Sequence, residues 1–294
     1  MPSQAGFFSS PQWSAVVAAM VALTLIVSAC ASPGAPGAGV AVGEYGQVLR
    51  LADATYRGGD LASAATFYER AHALEPERIE PLIGLANVAS ALGHHAVAAD
   101  AMLRAVHAEP DNAGLRAGYA QALLRQGMPE SAAAQFEEAI RLDPTDGRHH
   151  NGFGVALDLA GRHQMAQQAY RDGLAVLPDH LGLANNLALS EALTGQFDQA
   201  LGRLGRLSAQ APADPRLRLN TALVYALAGR IDQATALTAP GLSPQEVASN
   251  RAFFLSLQDL SGRALAEAVF HADLGRAAPV PRPPTTSEST RPAL

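Results

Sequence analysis

The sequence predicts an all-α protein, a solenoid of stacked helical hairpins, and three observations carry that prediction. Hydrophobic residues make up 48% of the 294 residues but aromatics only 5%, so the apolar content is aliphatic and Ala-rich, which favours helix over strand. Pro76, Pro110, Pro144, Pro178 and Pro212 recur every 34 residues, a step that belongs to repeat architectures. Gly59, Gly93, Gly127, Gly161, Gly195 and Gly229 keep the same step, as do Ala64, Ala98, Ala132, Ala166, Ala200 and Ala234. Three independent series in one phase define a repeating unit.

Composition also excludes functions. The formal charge is −6 with no long basic run, which leaves no electrostatic footprint for DNA or RNA. All 21 basic residues are Arg, and without Lys there is no phosphate-loop lysine, Schiff base or Ser/Lys pair. No Gly-x-Ser-x-Gly elbow or His-Glu-x-x-His pair is present. The expectation is a protein that is not an enzyme, with no cofactor and no small-molecule substrate.

Residues 1–29 read as an export signal. From Ala15 to Val27 every residue except Thr24 is apolar, and the ~20 residues that a membrane-spanning helix needs are not available before Cys30. Val27, Ser28, Ala29 and Cys30 resemble the bacterial lipobox, whose small residues let a peptidase draw an extended backbone into its site beside the thiol. The resemblance implies lipid attachment at Cys30, the single cysteine. It also implies an outer-membrane protein facing the periplasm, since Ala31 rather than Asp follows. Residues 30–44, rich in Ala, Gly and Pro, are expected to form a flexible tether.

Six units of 34 residues span 45–248, starting at Tyr45, Ile79, Ala113, Gly147, Leu181 and Pro215. In each, Gly ends a first helix in the left-handed conformation that only Gly adopts without steric cost. Pro stops the second helix, because it has no amide proton to donate. Ala52, Ala86, Ala120, Gly154, Ala188 and Ala222 face the Ala series so that two backbones approach closely, and Phe67, Met102, Phe136 and Tyr170 fill flanking grooves. One hairpin leaves an apolar face in water, so neighbours stack. The sixth unit is irregular, with Thr238 at the large-residue position and Pro240 cutting its second helix. Ser243 and Pro244 then open a further helix, and 249–275 is expected to be a degenerate unit capping the stack. The Pro-, Ser- and Thr-rich tail, 276–294, cannot bury enough surface to order itself.

These units resemble the tetratricopeptide repeat family, which implies a right-handed superhelix. The resemblance also implies that the second, fifth, sixth and ninth positions of each first helix meet the partner on the concave face. Here these positions give Arg148, Asn151, Asn185, Asn186, Leu189, Arg216, Asn220 and Leu223, and Asn250 matches Asn186 once the shortened unit is allowed for. Stacked amides both donate and accept, so they suit the backbone of an extended peptide. They equally suit one another or loop carbonyls, since buried polar side chains find protein partners. Residues 44–147 hold 8 Arg and 15 acids, whereas 148–242 hold 8 Arg and 7 acids. The nearly neutral half, which carries the amides, is the one expected to admit a partner chain.

Nine histidines raise the question of metal binding. Adjacent pairs such as His94–His95 and His149–His150 point in divergent directions on a helix, so no metal site is expected. Asn151-Gly-Phe-Gly-Val-Ala-Leu-Asp158, Gly161-Arg-His163, Asn185-Asn-Leu-Ala-Leu-Ser190 and Ala222-Leu-Val-Tyr-Ala-Leu-Ala-Gly-Arg230 resemble the TadD-type lipoproteins of tight-adherence (Tad/Flp) pilus systems. That resemblance implies a pilotin-like assembly factor binding the outer-membrane secretin. The alternative on the same scaffold is a periplasmic adaptor for cell-wall hydrolases or proteases.

Overall fold

The computed structural model describes residues 39–271, with side chains from 43 onward. The export signal, Cys30 and the tail lie outside the described residues. Among the described residues every regular element is helical. The elements are α1 (Gly39–Arg57), α2 (Leu61–Leu74), α3 (Glu80–Ala91), α4 (His95–Ala108), α5 (Ala113–Arg125), α6 (Pro129–Leu142) and α7 (Gly147–Leu159). They continue with α8 (His163–Val176), α9 (Leu181–Leu193), α10 (Phe197–Gln210), α11 (Pro215–Leu227), α12 (Ile231–Thr238), α13 (Pro244–Ser256) and α14 (Gly262–Phe270), with a 3-10 turn at Leu257–Asp259.

The chain is an α-solenoid, and local chemistry sets its period. Gly59, Gly93, Gly127, Gly161, Gly195 and Gly229 all have positive φ, between 74° and 84°, so each supplies the left-handed step that ends a first helix. Each repeated Pro lies one residue past the cap of a second helix, as Pro144 does after Asp143. First helices are started by side-chain caps: Asn112 accepts from the Leu115 amide, Asp146 and Asp214 from those of Arg148 and Arg216, and His180 from that of Leu183. Ser243 and Glu246 form a reciprocal capping box at α13.

Packing follows the two small-residue series. Ala120 and Ala132, Ala188 and Ala200, and Ala222 and Ala234 are completely buried at the hairpin cores. Gly84, Gly118 and Gly152 leave room for Tyr68, Met102 and Phe136 of the preceding second helix, and a Cβ at any of the three would overlap those side chains. The residue in phase with Met102 and Phe136 is therefore Tyr68, which is buried, and not Phe67, which is half-exposed. Tyr68 also donates to Asp53 (2.7 Å). First helices of neighbouring units touch in turn, α5 on α7, α7 on α9 and α9 on α11, and so form the inner layer of the solenoid.

Two further expectations are corrected. The stretch 30–44 is not tether to its end, because α1 already begins at Gly39. A helix anchored downstream extends at little cost, and Glu44 pairs with Arg70 (2.6 Å). The last two helices do not pair as a seventh hairpin. α13 packs on α12 as the next layer, but α14 turns back and lies against α7 and α9.

Candidate functional site

The polar core of units four and five fixes the helices that carry the candidate site. Asp158 on α7 is fully buried and accepts from Ser190 Oγ (2.8 Å), from Tyr170 Oη (3.0 Å) and from His163 Nδ1 (2.8 Å). Burial raises its carboxyl above the usual value, against the lowering effect of those three donors. Burial and the neighbouring carboxylate push the Tyr170 phenol well up. Glu191, equally buried, is matched by Arg203 (2.7 Å) and Gln199 (2.8 Å). Thus α7, α8, α9 and α10 are bound together by side-chain networks as well as by apolar packing.

On the inner face of these helices the amides join into a chain. Asn220 Nδ2 donates to Asn185 Oδ1 (2.7 Å), Asn185 Nδ2 to Asn186 Oδ1 (3.2 Å) and Asn186 Nδ2 to Asn151 Oδ1 (3.0 Å). The chain crosses α11, α9 and α7 and therefore ties three units together. Each amide has two N–H donors and two acceptor lone pairs, so capacity remains for a ligand. A cavity of about 450 Å3 opens over it, lined by these four Asn with Leu189, Arg216 and the end of α14.

The other expected residues fall elsewhere. Leu223 is 0% exposed and packs with Phe254 beneath α13, so no partner can reach it. Asn250 sits on α13, outside the cavity, because the turn after Pro240 shifts this helix out of the 34-residue phase. Arg148 is 75% exposed but outside the cavity, and clamps Asp146 (2.6 Å), holding that carboxyl down at about 2. Arg216, 78% exposed at the cavity rim, clamps Asp214 in the same manner (2.7 Å) and lowers it too. The Asn186–Asn220–Asn250 ladder is thereby corrected to an amide chain of Asn220, Asn185, Asn186 and Asn151, in which the amides partner one another.

Sequence reasoning put α14 in the capping unit, 249–275, and missed the surface it packs on. Val269 is buried among Leu189, Ala192 and Leu217, with Leu265 and Phe270 packed alongside. Arg263 Nη2 donates to the Gly127 carbonyl (2.6 Å) at the turn of unit three. The apolar spacing Leu265, Val269, with Ala266 and Phe270, was the available signal for an amphipathic helix needing a surface. Asp143, Asp146 and His149 are the one group of possible metal ligands found close together among the described residues. Their carboxylates are occupied locally, Asp143 by Thr145 and Asp146 by Arg148.

A solenoid of helical hairpins with a polar-floored inner groove defines a repeat scaffold for binding proteins. The tetratricopeptide repeat model matches residues 83–147, 120–179 and 185–245, more than half of the chain, and the chain belongs to that family. No curated protein matches it in sequence. Among solved structures it is similar to a tetratricopeptide repeat protein from Parabacteroides merdae (18% identity, TM-score 0.64, covering 77% of this chain and 91% of that one). It is also similar to PilW, described as a widely conserved type IV pilus biogenesis factor (21%, 0.58, 66% and 90%). A third is PilF of Pseudomonas aeruginosa (16%, 0.55, 69% and 95%). These likenesses show the fold.

Proposed function

We propose that this protein is a lipid-anchored scaffold of Tad/Flp pilus biogenesis, attached to the outer membrane through Cys30 and facing the periplasm, whose inner groove over units four to six holds a segment of the pilus secretin. The observation that carries this reading is the cavity itself. It combines a floor of partly satisfied amides with half-buried apolar Leu181, Leu219 and Phe270 at the place where the family meets its partners. That combination suits a polypeptide, which offers polar groups for the amides together with apolar side chains. The lipobox-like Val27–Cys30 supports the anchor, and the TadD-like motifs from Asn151 to Arg230 support the pilus role. The solved pilus biogenesis factor PilW supplies a precedent for this fold in such a process.

The test is affinity purification of the full chain from membranes of its own cells. Co-purification of the secretin, with diacylglyceryl on Cys30 by mass spectrometry, is the expected result. A hydrolase or protease in its place would favour the adaptor alternative, and an unlipidated membrane-bound chain would refute the anchor.

A further inference from the structure

The inner groove of units four and five already holds a helix, namely α14. This element has nine residues and starts at Gly262 with φ +53° and no side-chain cap at Ser261. Its Val269, with Leu265 and Phe270 alongside, covers the cluster of Leu189 and Ala192, while Leu265 and Ala268 also touch the core around Phe254 and Leu257. Its long-range polar tie is the exposed Arg263–Gly127 bond. A helix this short is not stable alone, so it owes its order to the groove. Among the described residues it covers only part of the groove: the helix spans Gly262–Phe270, and the 450 Å3 cavity with its amide floor opens beside Val269 and Phe270.

We propose that α14 is a resident stand-in for a partner, and that the groove's true ligand is an amphipathic helix that displaces it. The displacing helix carries apolar side chains at the spacing of Leu265, Val269 and Phe270, a basic group in the place of Arg263 against the Gly127 carbonyl and neighbouring Glu130, and polar residues in the added length that reaches the amides. A longer helix replaces every α14 contact and adds those to Asn151, Asn185, Asn186 and Asn220. Because α14 is tethered, it competes at an effective concentration in the millimolar range and sets a threshold that weak, nonspecific helices do not pass. This inference rests on the groove being the partner surface, and it specifies the partner segment as helical.

The test uses a fluorescent, helix-stapled peptide of residues 261–271, titrated by anisotropy into the full chain and into its Val269→Asp variant. The variant loosens α14 and should bind the peptide at least tenfold more tightly than the wild type. Equal binding, or none by a variant with wild-type circular dichroism, overturns the proposal. If the variant does not fold, hydrogen exchange of the wild type decides. The α14 amides should exchange at least a hundredfold faster than those of α7 and α9, and equal protection would make α14 an ordinary part of the fold. Secretin capture is scored separately. Failure with both chains refutes the pilus reading, whereas equal capture by both refutes only the displacement of α14.

Discussion

At Gly154 the hairpin has Gly where other units have Ala, and the reason lies across the helix pair. A methyl group there would overlap the Tyr170 ring, which is completely buried and hydrogen-bonded to Asp158. Gly154→Ala should therefore cost about 1–3 kcal/mol by overpacking, read as a shift of the urea midpoint, although Ala gains in intrinsic helix propensity. Asp158 gives a signed pH prediction. Its folded-state value is raised, so between the ordinary carboxylate range near 4 and the raised value the native state holds a proton that the unfolded chain releases. Wild-type stability should fall relative to Asp158→Asn as pH rises through that window, and a parallel pair of profiles would contradict it. Asp146 has the opposite sign. Held at about 2 by Arg148, it contributes stability above the ordinary range that is lost as pH falls toward 2, and Asp146→Asn should flatten that acid limb.

At the scale of elements, helix boundaries were legible because each rests on one residue with one steric property, Gly at the left-handed turn and Pro beyond the second helix. The site was legible only in part. Asn151, Asn185, Asn186, Leu189, Arg216 and Asn220 line one cavity, because position within a first helix fixes which way a side chain faces. Leu189 and Leu223 hold the same position and both are closed off, Leu189 (3% exposed) beneath α14 and Leu223 by Phe254 of α13, two helices outside the period. The fold-back of α14 was not legible at all, since its tie joins Arg263 to Gly127 across 136 residues and no local pattern encodes it. Within one hairpin, Ala166→Leu should destabilise by about 1–3 kcal/mol. Hydrogen exchange should place the loosening in α7 to α9 and leave α3 and α4 protected, as expected where consecutive hairpins pack on one another.

The whole molecule is a graded scaffold. Units one to three are acidic, and their inner face has a smaller cavity of about 360 Å3 between α3 and α5. Units four to six are nearly neutral and carry the amide chain, and buried polar networks cross-link units four and five. This rigidity favours binding, because a preorganised groove loses little conformational freedom on taking a ligand. The central claim is that the groove over the amides holds the partner, and purified secretin binding to the full chain tests it most directly. Each lost hydrogen bond should cost about 0.5–1.5 kcal/mol, a few-fold to about tenfold in affinity. The combined Asn185→Ala, Asn186→Ala and Asn220→Ala variant, shown folded by circular dichroism, should therefore nearly abolish binding. Undiminished binding by that folded variant would contradict the account and place the partner on another face of the solenoid.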